Sequence, residues 1–477
     1  MLEVPESEIL ARMREENPWW QVGQGIDPEL KELPRRAYLA NFGELVRQKD
    51  VHRAVVLMGP RRVGKTYLVK HTIHDLLENQ KVSGRDILYV MLETPIYNRL
   101  SLDDLVSRFR KLFPRPAGQT LYIFFDEIQY LKEWEVHLKS MVDRNRDIRF
   151  VATGSSAVAL KTRSAESGAG RFTEYMLPPL TFAEYLRFIN KEDDLIDAQG
   201  EAGSRRYSTP DVLALNTEFI NYMNYGGYPE AVFSISLQRN PQRYIKSDII
   251  DKVLLRDLPT LYGITDIQEL NSLFNTLAYH TSREVSMEEL SKTSNVAKNT
   301  LSKYMEYLEA AFLISQMRRV DEDVTHFKRK TTFKVFLTNP TMRAALFNPL
   351  REGDAALGQQ VETAIFSQWI HNRDFIDSLH YVRWDKGEVD FVSLDRTGHK
   401  ARFAVEVKWS DAALNDPREI KGLVSFSKKH KLARPPLCTT LTQSGTQTID
   451  GVEVEFTPSS LHCYTVGKNT IERSVRY

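Results

Sequence analysis

The sequence predicts an α/β protein: a parallel-sheet domain first, then helical and winged-helix elements, then an α+β module. Three observations carry that expectation. Short apolar strands (AVVLM, ILYVML, LYIFF, RFVAT) alternate with amphipathic stretches between residues 54 and 153, the pattern of parallel strands joined by crossover helices. The glycine-bearing run GPRRVGKT stands between the first of those strands and a helix-forming stretch. Near the carboxyl end, EVDFVSLDRTGHKARFAVEVK (388–408) alternates apolar and polar residues along two strands.

A chain of 477 residues is too long for one ordinary core. Five segments are expected: a helical, polar stretch over 1–50; the parallel-sheet domain over 51–191; a linker and helical region over 192–280; a winged helix-turn-helix over 281–340; and the α+β module over 341–477. Lysine and arginine total 64 against 63 acidic residues, so any nucleic-acid contact must come from a local patch. No apolar run is long enough to span a bilayer, and the first twenty residues lack a signal-peptide core. Cys438 and Cys463 are far apart with no CxxC partner, which argues against structural zinc and fits a reducing, cytoplasmic setting.

Within 1–50 the Trp19-Trp20 pair is expected to pack on the following domain. GPRRVGKT then satisfies GxxxxGK[ST] in full. Gly59 and Gly64 permit backbone approaches that a Cβ would block, so the loop of Gly59, Pro60, Arg61, Arg62, Val63 and Gly64 can wrap the phosphates, its N–H groups (all but Pro60's) turned toward them. Lys65 offers a mobile positive charge to the β- and γ-phosphates, Thr66 a hydroxyl to Mg²⁺, and Tyr67 opens the helix whose dipole adds to the site. LYIFFDEIQ ends a bulky strand in two acids: Asp126 to hold the Mg²⁺ water shell and Glu127 to orient or deprotonate an attacking water. ATP and Mg²⁺ are therefore the expected cofactors. The next strand ends in Thr153-Gly154-Ser155, with Ser155 suited to sensing the γ-phosphate. Arg163 and Arg171 are candidates for an arginine acting on a neighbour's site, which makes a homo-oligomer an expected partner.

The polar, glycine-bearing EDDLIDAQGEAGSRRYSTP (192–210) reads as a surface insertion or linker, and 211–280 as helical. Ser286 with Glu289 has capping-box spacing. The longer helix after the turn at Asn295-Val296 should bury Leu301, Met305, Leu308 and Phe312 and turn Lys298, Asn299, Ser302 and Lys303 outward, where a recognition helix meets base edges. Arg318, Arg319, Lys328, Arg329 and Lys330 could reach phosphates from the wing, against Glu306, Glu309, Asp321, Glu322 and Asp323, which dilute the basic surface. DNA is the expected partner; a protein-docking surface is the plainer alternative.

In the 388–408 hairpin, Val389 and Phe391 are expected on one face and Glu388 and Asp390 on the other. Joining like faces needs pairs whose numbers sum to an even value, and so an odd-length loop or a bulge. That register gathers Asp390, Glu406 and Lys408. Two carboxylates and a lysine can hold Mg²⁺ and cut a phosphodiester; a solvated strand face is the bland alternative. The preceding amphipathic run GQQVETAIFSQWIH carries Glu362, while His380 and Tyr381 read as packing residues.

The runs GPRRVGKT, FFDEIQ, ATGSS, GRF with LPPLTFAEYL, and NYGGYPEA together resemble prokaryotic AAA-type ATPases of the archaeal-ATPase group, STAND-like P-loop NTPases with a C-terminal restriction-endonuclease-like, PD-(D/E)XK, domain. The resemblance covers about residues 35–477. It implies an ATPase core, a helical lid, a winged helix and a nuclease-type fold. It also implies that Pro229 of GGYPEA lies near the nucleotide, where the residues alone read as a helix-ending turn, and that Glu362 joins Asp390 and Glu406 as metal ligands. The expected function is an Mg²⁺-dependent ATPase coupling nucleotide hydrolysis to DNA binding and cleavage or processing, in genome maintenance or defence. The alternative is a nucleotide-gated DNA-binding or signalling switch on an inactive nuclease-like scaffold.

Overall fold

Five consecutive apolar residues, all buried, make the first strand, β1 (Ala54–Met58). It lies inside a five-stranded sheet completed by β2 (Ile87–Met91), β3 (Leu121–Asp126), β4 (Ile148–Gly154) and β5 (Phe172–Met176). The order is β2-β3-β4-β1-β5 and every pair is parallel. Near-continuous burial along β1 to β4 is what a parallel sheet covered on both faces requires. This is a computed structural model of the chain. It describes residues 4–114, 116, 118–155, 170–200, 206–324, 332–385 and 387–474.

The chain divides into two compact units, Met1–Pro178 and Pro179–Tyr477. The amino-terminal stretch is thus part of the first unit. Its Asn17 side chain donates to Tyr89 O at 2.7 Å and accepts from Tyr89 N at 2.7 Å, so it pairs with the free edge of β2. The indole N–H groups of Trp19 and Trp20 both donate to Ile87 O, at 3.2 and 2.8 Å. Trp20 also stacks on Phe109 with ring centroids 5.6 Å apart. The Trp-Trp pair packs on the sheet domain, as expected.

In the second unit, β6 (Asp197–Gln199) and β7 (Arg206–Ser208) form a small hairpin in the polar 192–210 stretch. The remaining strands are β8 (Glu284–Ser286), β9 (Ile314–Val320), β10 (Thr332–Leu337), β11 (Leu379–Trp384), β12 (Gly387–Leu394), β13 (Ala401–Glu406), β14 (Leu437–Thr440), β15 (Gly445–Ile449) and β16 (Val452–Pro458). They make one nine-stranded sheet in the order β15-β16-β14-β13-β12-β11-β9-β10-β8. Helices Met287–Ser294 and Lys298–Ala310 with antiparallel β8, β10 and β9 reproduce the helix-turn-helix and wing. The boundary expected at 340 falls inside this sheet, because β9 also pairs in parallel with β11 through His380↔Arg318 and Val382↔Val320.

The longer helix buries Leu301, Tyr304, Met305 and Leu308. Phe312 does not continue that face: it lies past the helix end, half-buried, with φ 59°. Ser286 Oγ accepts from Glu289 N at 3.1 Å, the N-cap half of the expected capping box.

The 388–408 hairpin takes the even-sum register, Phe391↔Val405 and Val392↔Ala404, with an irregularity between Ser393 and Leu394. The expected alternation fails at one place. Against β11 the register shifts from His380↔Val392 to Val382↔Val389, so Asp390 and Phe391 together oppose Tyr381 in a bulge. Val389 therefore packs with Val392 and Ala404 on one side of the sheet, while Phe391 packs with Val405 and Phe403 on the other.

Candidate functional site

The phosphate loop spans the turn from β1 to the helix Lys65–Glu78. A Cβ on Gly59 would lie 2.2 Å from Leu177 O, so the loop's first position has no room for a side chain. Gly64 caps the helix at φ 90°, a left-handed conformation that glycine adopts without strain. Arg62 is also left-handed, at φ 65°. Lys65 is buried, and its ammonium donates to Gly59 O at 3.1 Å and Pro60 O at 2.9 Å, folded back over the loop. Pro60 and Val63 are buried, Arg61 and Thr66 half-buried, and Tyr67 points outward, 45% exposed.

The phosphate-loop strand and the acid strand are not neighbours, because β4 lies between β1 and β3. The two ends still converge: Thr66 Oγ1 donates to Asp126 Oδ2 at 2.8 Å. From the intervening strand, Thr153 Oγ1 donates to Asp126 Oδ1 and accepts from Glu127 N at 3.1 Å. Glu127 sits at φ 57°, and its carboxylate accepts from Gln129 Nε2. The Ser155 hydroxyl is fully buried and has no partner among the described residues, just past the carboxyl end of β4.

Two residues of this site were not read from the sequence. Tyr89 donates its hydroxyl to Asp126 Oδ2 at 2.6 Å. Burial and the neighbouring Asp126 push that phenol well above its ordinary value, so it stays a donor. Lys70, one turn beyond Thr66, lies over the Tyr89 ring, 3.3 Å from its centroid, and burial pushes its amine down to about 8. Both were hidden by plain helix and strand patterns. Of the arginine candidates, Arg171 pairs with Asp143 at the surface, and Arg163 lies outside the described residues.

Pro229 is the first residue of the helix Pro229–Phe233 in the second unit. The glycines before it have a packing role: a Cβ on Gly227 would lie 2.1 Å from Asn339 Oδ1, and one on Gly226 2.5 Å from the Tyr222 ring. Lys298, Asn299, Ser302 and Lys303 are exposed along one side of their helix. Arg319 instead donates to Arg383 O at 2.8 Å, and Lys328, Arg329 and Lys330 lie outside the described residues.

The third constellation is in the nine-stranded sheet. The helix Leu357–Trp369 carries Glu362, β12 carries Glu388 and Asp390, and β13 ends at Glu406 with Lys408 just beyond. Asp390 Oδ2 accepts from Val407 N at 2.9 Å, and Lys408 Nζ reaches Glu406 Oε1 at 3.1 Å. Burial and Asp390 together push the Glu362 and Glu406 carboxyls up to about 8. Glu406 Oε2 is buried without a partner among the described residues. At the centre stands a residue the sequence reading passed over. Lys334 of β10 places its ammonium 2.9 Å from Glu362, 2.9 Å from Glu388 and 3.0 Å from Asp390. Among the described residues, no group of three or more His, Cys, Asp or Glu side chains is set to hold a metal ion. Lys334's one signal was a lone cation between Phe333 and Val335 in a strand whose only other polar residue is Thr332. As expected, Tyr381 is buried, donating to Glu284 Oε2 at 2.8 Å.

Among the described residues no helix is long and apolar enough to cross a membrane. Residues 51–186 match a family model described as an AAA domain, and residues 216–352 match one described as a domain of unknown function, DUF8612. The chain is 26% identical over 434 residues to an uncharacterized protein of Haemophilus influenzae, covering 89% of this chain and 97% of that protein. It is 25% identical over 386 residues to an uncharacterized protein of Methanocaldococcus jannaschii, covering 79% of each. Among solved structures, the ORC2 protein of Aeropyrum pernix (ADPNP-ADP complexes) matches at 15% identity and a TM-score of 0.39, covering 69% of this chain and 95% of that one. A score that low says nothing of fold or function. The family match, with the five-stranded parallel sheet and its phosphate loop, supports an AAA-type P-loop ATPase domain over residues 51–186.

Proposed function

We propose that this chain is a cytoplasmic, Mg²⁺-dependent ATPase whose nucleotide cycle is coupled to a DNA-contacting second unit. The convergence of Thr66 and Thr153 on Asp126, with the buried Ser155 hydroxyl without a partner among the described residues, carries the ATPase reading. The residues fit the nucleotide: the glycine-lined loop 59–64 and Lys65 would hold its phosphates, and Thr66 and Asp126 the magnesium. Bound Mg²⁺ neutralises developing phosphate charge. Glu127 orients the water and takes its proton; Ser155 donates to the γ-phosphate end. Lys65 leaves its loop carbonyls as phosphate oxygens replace them.

The exposed row Lys298, Asn299, Ser302 and Lys303 on the second helix of a helix-turn-helix supports the DNA reading. Pro229 and a neighbouring subunit's arginine are assigned to nucleotide sensing by resemblance alone. Measuring ATP binding and phosphate release tests the proposal. Lys65→Ala should lose both, and Glu127→Gln should keep binding and lose hydrolysis by about a hundredfold or more. Turnover unchanged in both variants overturns it.

A second reading, metal-dependent DNA cleavage by Asp390, Glu406 and Lys408 with Glu362, is favoured by the proximity of these residues and by the Glu406 Oε2 that has no partner among the described residues. It requires that Mg²⁺ or Mn²⁺ support cleavage by the wild type and not by Glu406→Ala/Lys408→Ala. Equal or absent cleavage in both leaves the switch on a nuclease-like scaffold.

A further inference from the structure

A divalent ion held by Glu362, Asp390 and Glu406 would need open carboxylate oxygens and the space between them. The described geometry gives most of that to a side chain. Lys334 reaches in from β10, its side chain only 4% exposed, and lies within 3.0 Å of carboxylates from two other elements: Glu362 on the helix Leu357–Trp369, and Glu388 and Asp390 on β12. An ammonium has three donors, and three carboxylates meet it. The β12 bulge that separates Val389 from Phe391 falls at Asp390 and so sets where that carboxylate stands. The second oxygen of Asp390 is taken by Val407 N. Behind the ammonium lies the Tyr381 ring, with its centroid at 5.5 Å. Arg383 flanks Glu388 at 3.7 Å and Lys408 flanks Glu406 at 3.1 Å.

We infer that Lys334 is a built-in counter-cation standing where a nuclease-type site would hold its metal, so that a divalent ion can bind these carboxylates only if the Lys334 ammonium is displaced or removed. Burial of a lone cation there is offset by its three short ion pairs to Glu362, Glu388 and Asp390. Glu406, which pairs with Lys408, keeps a buried oxygen without a partner among the described residues: a ligand place left over beside a filled cation position. The inference concerns the site of the cleavage reading but does not need cleavage to occur, since it is read from metal binding.

The test uses the full chain carrying Asp126→Asn, which removes the nucleotide-site metal ligand, and follows Mn²⁺ binding by electron paramagnetic resonance without ATP or DNA. With Lys334 present, no tight Mn²⁺ site is expected. Adding Lys334→Met should create one site per chain, at least about tenfold tighter, and adding Asp390→Asn should abolish it. Should the three uncompensated acids prevent folding, Lys334→Met/Glu362→Gln lowers the repulsion and keeps Glu388, Asp390 and Glu406. Its melting temperature should rise with Mn²⁺ while that of the parent does not. Tight Mn²⁺ binding by the parent that Asp390→Asn removes would overturn the inference. So would a folded Lys334→Met or Lys334→Met/Glu362→Gln chain with no gain in binding. DNA cleavage by the wild type without this Mn²⁺ response would leave the cleavage reading standing and remove Lys334 from it.

Discussion

The hydroxyl of Tyr89 donates to Oδ2 of Asp126 at 2.6 Å, and the same oxygen accepts from Thr66 at 2.8 Å. A carboxylate held by Tyr89, Thr66 and Thr153 is fixed before any magnesium arrives. Such supporting hydrogen bonds commonly contribute as much as a ligand does. Tyr89→Phe removes one of them and leaves the ring in place. A magnesium titration of the ATPase rate should show an apparent Mg²⁺ affinity weaker by about tenfold, with little change at saturating metal.

Lys70 gives a pH signature to the same corner. Its folded-state value, about 8, lies below the ordinary 10.5 of a lysine. Below pH 8 both states hold the proton; between 8 and 10.5 only the unfolded chain does, so unfolding takes up a proton and stability rises with pH across that window. In Lys70→Met this rise disappears. The stability difference between variant and wild type, measured by denaturant unfolding, should move toward the wild type by roughly 2 to 3 kcal/mol from pH 8 to 10.5.

The amino-terminal stretch closes an edge of the sheet. Trp20 is buried, bonded to Ile87 O, and packed on Phe109 and Phe113. Trp20→Ala should lower stability by roughly 3 to 5 kcal/mol, the range for removing a buried aromatic. Thermal unfolding measures it.

Gly227 is bounded by the Asn339 side chain. Gly227→Ala should destabilise the second unit by about 1 to 3 kcal/mol, the cost of overpacking. Gly227→Ala with Asn339→Ala should recover part of that loss, which distinguishes a steric role for the glycine from a direct role in nucleotide sensing.

Period and spacing made the first unit legible. The alternation of apolar strands with crossover helices, the GxxxxGK[ST] spacing and the strand-ending Asp126 are local patterns, and each reads without knowing the sheet order. That order is set by packing between distant segments, which is why β4 between the two motif strands, and with it Thr153 as a partner of Asp126, was not read. In the second unit the helix-turn-helix faces and the hairpin register were legible. The bulge at Asp390 was not, since one extra residue in a strand leaves the composition unchanged while moving side chains to the other face. Lys334 and Glu362 are 28 residues apart, and no sequence period joins them.

The pairing of β9 with β10 on one side and β11 on the other welds the helix-turn-helix to the carboxyl-terminal strands. The exposed row at Lys298 and Lys303 thus belongs to the same hydrogen-bonded sheet system as β12 and Asp390, not to a tethered bead. Severing the chain after residue 340 would leave β9 with a raw, unsatisfied flank, inviting a foreign strand to zip against it.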